Sequence, residues 1–506
     1  MVKLIKSVTK SIGRGIRDDL EFKRLRDKYP RFFRFIKKRL TSDEKYGLYL
    51  TVGGLFTLFF IYLFFEVIQS YIGQEALFCA DLRIINLVSH FRTPSLNQFM
   101  LFVTDLANAQ VITVAVVCSL IILYLLRKWS YIRSLLVFVI GGEIFVWIIK
   151  NMVNRPRPPL TEALVTETSY SFPSGHTFIA VAFYGLITFF LFHSLQKKYL
   201  KNISLILGII LVILIGASRI YLGAHWPSDV LASYASGLAW LSIIITITHI
   251  KKRFHPGKIN PPNIKHKNLA IITFLLITIF SVFVYIFYQK HPLNTIIVTP
   301  VSKTIIQINE INTKLFATLP KISESMTGAA AEPINIIAVA NQETLDKAFV
   351  DSGWFLLDQI SLKTTVKIIS AVIQKQTYPQ TPGLPVFWDT RSNDIGFGKP
   401  NSATSRQHIH FWETNFITPD GQSIWVGTAH FDEEIKTKGI IILPIHTTDK
   451  MVDNEREKIK NNLEANGFVK SFEKINLTGL TYGAKSSGNN FLTDGQAYIL
   501  YLKTND

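Results

Sequence analysis

Cysteine is nearly absent from this chain, with only Cys79 and Cys118 among 506 residues. Two cysteines build neither a disulfide framework nor a cysteine-held metal site, and Cys118 falls inside an apolar run. The second half has none at all, which suits an oxidising compartment. Acid is scarce where base is plentiful. Residues 1–289 carry 33 Lys and Arg against 14 Asp and Glu, and residues 290–506 carry 21 against 22. The formal charge of +18 therefore belongs to the first half. Its basic residues flank apolar runs instead of gathering in a folded module, which argues against nucleic acid as a partner. A cleavable leader is not expected either, and the first apolar run is read as an anchor. The basic lead through Lys37-Lys38-Arg39 is too long for a leader, and Leu48 to Ile72 has no small-residue cleavage pattern.

What is present is a series of seven apolar runs between Tyr46 and Gln289, each long enough to cross a bilayer. The predicted spans are 48–72, 107–126, 131–150, 176–195, 203–220, 229–249 and 269–289. Every second connection is basic: the lead, Arg127 to Arg133, Lys197 to Lys201, and Lys251 to Lys267. Those connections are expected to be cytoplasmic. The connections 73–106, 151–175 and 218–228 then face outward, with everything after the last span. Phe32, Phe33, Phe35 and Ile36 among the arginines of the lead predict an amphipathic helix on the membrane surface. One outward connection breaks the charge rule, with Lys150, Arg155 and Arg157. Snorkelling explains any one of them alone. Three together point to chemistry.

The densest polar stretch is Ser218-Arg-Ile-Tyr-Leu-Gly-Ala-His-Trp-Pro-Ser-Asp229, between two spans. An arginine costs about 2.5–3.5 kcal/mol at a bilayer centre, so Arg219 marks a site. His225 and Asp229 are four apart, which on a helix puts the carboxylate beside the imidazole. That pair makes either an oriented nucleophile or a proton carrier. Pro227 is suited to open the next span. Upstream, Lys150-Asn-Met-Val-Asn-Arg-Pro-Arg-Pro158 leaves the membrane as extended chain, because its prolines cannot continue a helix. Lys150 and Arg157 can converge there on one anion. In Ser171-Phe-Pro-Ser-Gly-His176, Ser174 can cap the following helix and Gly175 admits close backbone approach. The free N–H groups of that first turn suit an anion, and His176 can protonate a leaving oxygen. No acidic cluster accompanies these residues to hold a divalent metal. The inventory fits metal-free phosphoryl transfer through a phosphohistidine.

K-x6-RP (Lys150 to Pro158), PSGH (Pro173 to His176) and SR-x5-H-x3-D (Ser218 to Asp229) resemble the three signatures of the type-2 phosphatidic acid phosphatase superfamily. The resemblance covers roughly residues 50–250. It implies His225 as nucleophile, Asp229 as the group that orients it, and His176 as general acid. Lys150, Arg157, Ser174, Gly175 and Arg219 would hold the phosphoryl oxygens. Arg155 also precedes a proline, but the spacing from Lys150 favours Arg157. Glu143 lies two helical turns before Lys150 and can pair with it, and Asp105 falls at the outward start of the second span; both are read as structural contacts.

After the last span, Lys290 to Pro333 reads as a juxtamembrane connection. A strand at Pro333 to Val339, helices at 344–360 and 361–376, and strands at 384–387, 408–413, 424–430 and 439–446 follow. A last helix over 454–466 stops at Gly467. The sheet is expected to be antiparallel. His408 and His410 alternate onto one strand face, with His430 and His446 on neighbouring strands. They are a conceivable metal or catalytic cluster, although packed histidines are commoner. Ala348 to Trp354, Arg406 to Trp412, Ile424 to Thr428 and Thr447 to Glu457 are similar to the LssY-type C-terminal domain, which implies no known activity.

The expected architecture is a membrane all-α helical bundle, a six-helix phosphatase core plus one extra span, followed by a soluble α+β domain. Its parts are a basic cytoplasmic lead (1–45), the phosphatase core (46–250), a basic cytoplasmic loop (251–268), the seventh span (269–289) and a periplasmic domain (290–506). The expected activity is hydrolysis of a lipid phosphate, without cofactor, at the outer face of a bacterial inner membrane. An undecaprenyl pyrophosphate or lipid A phosphatase is the nearest alternative. An inactive anchor displaying the tail is the alternative from another class.

Overall fold

The computed structural model describes residues 19–41, 47–159, 163–254, 266–290, 293, 302–374, 378–382, 385–401, 405–437, 444–479, 482–484 and 490–503. The start of the basic lead, the loop 255–265, Leu384 and the first part of the expected strand 439–446 lie outside the described residues. In the remainder of the lead, Asp19 caps α1 (Leu20–Lys28) and Pro30 opens α2 (Pro30–Leu40). Phe32 and Phe35 are exposed on α2.

Among the described residues, six helices are long and apolar enough to cross a membrane. They are α3 (Leu48–Ile72), α7 (Trp129–Val153), α8 (Gly175–Ser194), α9 (Lys198–Tyr221), α10 (Pro227–Phe254) and α11 (His266–Gln289). The expected second span is built differently. α6 (Ala109–Leu125) has 17 residues and meets α5 (Pro94–Asp105) at a bend of 49°. Asn108 caps α6 by accepting from the Gln110 N–H, so the free donors at the break are partly satisfied. Asp105 thus ends α5 and is fully buried, rather than starting a straight span. The connection 73–106 also holds α4 (Ala76–Ser89), whose length hid it from a search for spans.

α3 turns Leu55, Phe56, Leu58, Phe59, Tyr62 and Phe65 outward, the surface that a hydrocarbon solvent accepts. Its other side lies along α10. A Cβ on Gly53 would come within 1.9 Å of Thr246 Oγ1, so glycine sets how closely these helices approach. Gly216 does the same for α9 and α10, where a Cβ would reach 2.0 Å from the Tyr234 hydroxyl. Leu135, Phe138, Ala180, Ala182, Leu186 and Ile215 form the buried centre of the bundle.

The tail is α+β. Its main sheet comprises β1 (Thr304–Ile305), β2 (Ile336–Val339), β3 (Phe355–Leu356), β4 (Ile395–Pro400), β5 (Arg406–Ile417), β6 (Ser423–Thr437), β7 (Pro444–Thr448), β8 (Val469–Asn476) and β9 (Gln496–Leu502). The spatial order is β8-β9-β2-β6-β5-β4-β3, with β1 on β5 and β7 on β6. Most pairs are antiparallel as expected, but β2 runs parallel to β9 and β1 parallel to β5. α12 (Gln342–Asp351) and α14 (Val452–Ala465) cover one face of the sheet over Ile336, Phe397, Ile409, Phe411 and Trp425. α12 ends well before residue 360, because Gly353 takes φ +82° and β3 follows. α13 (Leu362–Gln374) forms as expected. From residue 304 the expected juxtamembrane connection already belongs to this domain: Ile306, Ile311 and Leu315 are buried under the other face, with Trp388 and Trp412.

The two halves touch along α4. Arg83 pairs with Glu324, the Asn86 side chain donates to the Thr390 carbonyl at 2.9 Å, and His90 Nε2 meets Ser392 Oγ at 2.7 Å.

Candidate active site

Three chain turns close on one end of the bundle: the exit from α7, the loop into α8, and the short passage from α9 to α10. Backbone bonds tie them together, from Ser171 N to Arg155 O at 2.9 Å and from Leu164 N to Leu222 O at 2.8 Å. Side chains that are far apart in sequence thereby come together at one end of the bundle.

Asp229 lies in the first turn of α10 and accepts the Trp226 N–H at 3.0 Å. His225 precedes the helix instead of sharing its face, which corrects the helical reading of the four-residue spacing. Its Nδ1 lies 3.5 Å from Asp229 Oδ2, and Ser171 Oγ joins the two, donating to Asp229 and lying 3.4 Å from Nδ1. The opposite nitrogen, Nε2, lies 3.2 Å from Arg157 Nη1. Burial, then the charges of Arg157, Arg219 and Lys150, hold the imidazole well below the usual histidine range. Its Nδ1 faces the acid and its Nε2 faces the cations.

Arg157 also donates to the Ala224 and Ser169 carbonyls, each at 2.6 Å. Lys150, in the last turn of α7, donates to the Tyr170 carbonyl and lies 3.3 Å from Ser169 Oγ. It makes no ion pair with Glu143 among the described residues, and Glu143 is on the exposed side of α7. Ser174 is buried and caps α8, accepting from Thr177 N and Thr177 Oγ1. Gly175 and His176 follow as the first residues of that helix, which passes through a π-turn at Ala180–Tyr184. A Cβ on Gly175 would touch only Val146, at 3.8 Å, so packing alone does not demand glycine there.

Arg219 is almost fully buried in the last turn of α9, donating to Thr104 Oγ1 at 2.8 Å and to Glu167. Burial alone would raise the Glu167 carboxyl, but Arg219, His176, Arg157 and His225 outweigh it and bring it down to about 2. One anion is thus held where four of the expected site residues converge. All eight residues expected at the site belong to these three turns.

Residues 130–253 match the PAP2 superfamily model, and residues 316–497 match the model described as LssY C-terminus. The chain is 32% identical over 197 residues to phosphatidylglycerophosphatase B of Bacillus subtilis (strain 168), covering 38% of this chain and 96% of that protein. The chain belongs to the PAP2 superfamily. Undecaprenyl-diphosphatase of Sulfolobus acidocaldarius is 27% identical over 192 residues, covering 37% of this chain and 87% of that protein. A crystal structure of the first transmembrane PAP2 type phosphatidylglycerolphosphate phosphatase from Bacillus subtilis aligns with a TM-score of 0.35 and 28% identity, over 40% of this chain and 98% of that one.

The PAP2 trio in this chain rests on groups that its motifs do not contain. Arg155, set aside on spacing, is nearly fully buried and donates to Asp229 Oδ1 and Asp81 Oδ2, both at 2.6 Å, and to Ser228 Oγ at 2.7 Å. Tyr71 lies on the guanidinium at 4.6 Å and Trp226 at 5.5 Å. Asp81 comes from α4 and also accepts the Ser228 N–H at 2.8 Å. Ser171, Glu167 and Thr104 are the other unforeseen members. Arg155 and Arg157 were visible as a doublet, and two cations so close in one loop needed two anionic partners. Asp81 and Thr104 gave no local signal.

Proposed function

We propose that this chain is an integral membrane phosphatase hydrolysing the phosphomonoester or pyrophosphate of a lipid at the outer face of a bacterial inner membrane. The observation that carries the reading is the carboxylate of Glu167, bound to Arg219 where Arg157, His176 and His225 also act on it. A site that already stabilises an anion this strongly is preorganised for the charge of a phosphoryl group. PAP2 membership and relatives named as lipid phosphatases support hydrolysis of a lipid phosphate. Those relatives are named for different lipids, so the class stated is the lipid phosphate.

In the proposed reaction His225 Nε2 attacks phosphorus, forming an N–P bond as the bond from phosphorus to the lipid oxygen breaks. Asp229 and Ser171 keep Nδ1 protonated and stabilise the imidazolium. His176 gives the leaving oxygen a proton. It then takes one from the water that attacks the phosphohistidine and returns His225 to its starting state. Arg157 leaves Nε2 to bind a phosphoryl oxygen, joined by Lys150, Arg219 and the N–H groups after Ser174. The open side of Gly175 suits a phosphate that approaches the backbone. No step calls on a metal, so lipid phosphate hydrolysis should survive EDTA; loss under chelation that zinc or magnesium restores would refute the scheme.

Phosphate must displace Glu167 from Arg219. Glu167→Gln should therefore tighten inhibition by vanadate about fivefold, since an ion pair of this exposure is worth on the order of 1 kcal/mol. A titration of initial rates would measure it, and unchanged or weaker inhibition would count against a competing carboxylate. The orientation is tested separately. A single cysteine placed at Glu464, in a chain lacking Cys79 and Cys118, should react with an impermeant maleimide on intact cells. Protection until lysis would put the tail on the other side.

A further inference from the structure

The tail carries a histidine cluster that the phosphatase reaction leaves unused. Side chains two apart on a strand share a face, so His408 and His410 of β5 point the same way. In the register of β5 with β6, His430 stands opposite His408 and Thr428 opposite His410, which puts the third imidazole on that face as well. The rings lie 5.5 to 5.9 Å apart, centre to centre. One nitrogen from each comes within 4.8 Å of the others, and all three residues are buried. On the other side of β5, Gly396 and Gly398 of β4 pair with His410 and His408, and the Leu357 side chain packs over both glycines. Glu332 brings a carboxylate oxygen to 2.8 Å from His430 Nδ1. His446, the fourth candidate, is described only through its backbone and pairs with Ile435, past the point where β5 ends.

Three imidazoles and one acid are gathered on one buried sheet face. Imidazole is the preferred ligand of zinc-class dications, and three such nitrogens complete a common site with a position left open. Tetrahedral zinc places its nitrogen ligands about 3.4 Å apart, given zinc–nitrogen bonds of about 2.1 Å. The ligand atoms, within 4.8 Å of one another, have at most about 1.4 Å to close to reach that spacing. The carboxylate of Glu332 supplies negative charge beside the dication and can hold one ring in place. We propose that His408, His410 and His430 bind one zinc-class divalent metal ion in the tail, independently of the phosphatase site.

A cavity adjoins the cluster. His410 lines a cavity of about 130 Å³ with Asp394, Asp358, Leu357 and, from the membrane half, Leu87 and His90. The cavity therefore lies at the seam between the two halves, where α4 meets the tail.

The test is metal analysis of the full-length protein in detergent, freed of loosely bound ions after loading with zinc. The wild type should retain about one zinc per chain, as a single three-imidazole set requires. His408→Ala/His410→Ala should retain less than about a tenth of that. Cobalt added to the stripped wild type should give visible d–d bands that saturate near one equivalent and are absent from the variant. His225→Ala, which alters the other histidine pair, should keep both the zinc and the bands. Lipid phosphatase activity of the double variant serves as its folding control. His410→Gln, which keeps size and polarity, should also lose the bands should the double variant misfold. Wild-type protein that retains no zinc and gives no cobalt bands would overturn the proposal, as would undiminished zinc in a folded double variant.

Discussion

His225→Ala is expected to reduce phosphate release from any lipid phosphate that the wild type hydrolyses by about 10³-fold or more, because a covalent mechanism has no second route once its nucleophile is gone. The loss should fall on kcat, with the affinity for phosphate nearly kept, since Lys150, Arg157 and Arg219 remain. Binding of vanadate or of the lipid product, followed by calorimetry, separates the two effects. His176→Ala should behave differently. Its loss should be large for an alkyl phosphate and much smaller for an aryl phosphate, whose leaving oxygen needs little help from a proton. If both variants lost activity equally on both substrates, the division between nucleophile and acid would be wrong. If His225→Ala released phosphate at the wild-type rate, the phosphohistidine would be excluded. The geometry makes the outcome sharp: His225 Nε2 faces the cations, while Nδ1 is turned to Asp229 and Ser171.

The elements that can be read locally are the ones the sequence announces. Lys150, Arg157, Ser174, Gly175, His176, Arg219, His225 and Asp229 stand at fixed spacings around proline and glycine, and each spacing maps onto one turn at the end of a long apolar helix. Spans of 20 or more apolar residues are legible for the same reason. What stayed hidden depends on partners distant in sequence. α4 is amphipathic and short, so its Asp81 reads as an ordinary surface acid until folding sets it against Arg155 and Ser228. The bend between α5 and α6 depends on Asn108, one capping residue among many similar ones. In the tail, the strands at 395–400, 469–476 and 496–502 carry too weak an alternation to be read locally, although 395–400 pairs with the neighbouring strand 406–417. The parallel pairing of β9 with β2 closes a loop of more than 150 residues, which no local pattern encodes. The histidine cluster lies between these cases. Alternation put His408 and His410 on one face, but only the β5–β6 register could choose His430 over His446.

Arg155→Met should damage the protein more broadly than any substitution among the phosphate-holding cations. The guanidinium bridges two buried carboxylates and one buried hydroxyl, with aromatic rings around it. Removing one partner of such a set typically costs about 3–5 kcal/mol, because the charges left behind stay out of water. Methionine fills much of the volume and leaves Asp81 and Asp229 facing each other without a cation. Burial already lifts the Asp81 carboxyl above its usual range, against the opposing pull of Ser228 and Arg155. Without Arg155 that carboxyl should be lifted further, and Asp229 should lose a contact that helps to fix it beside His225. The expected result is a clearly lower melting temperature in detergent and a loss of kcat of about 10²-fold or more, the scale on which a misplaced catalytic group counts. A second substitution separates the two effects. Adding Asp81→Asn to Arg155→Met removes one of the orphaned charges and should recover part of the stability. It should recover none of the activity, because Asp229 still lacks its cation. Recovery of both would mean that Arg155 acts only on stability. Wild-type melting and turnover in Arg155→Met alone would mean that the bridge from α4 through Arg155 to Asp229 does not hold the nucleophile's partner in place.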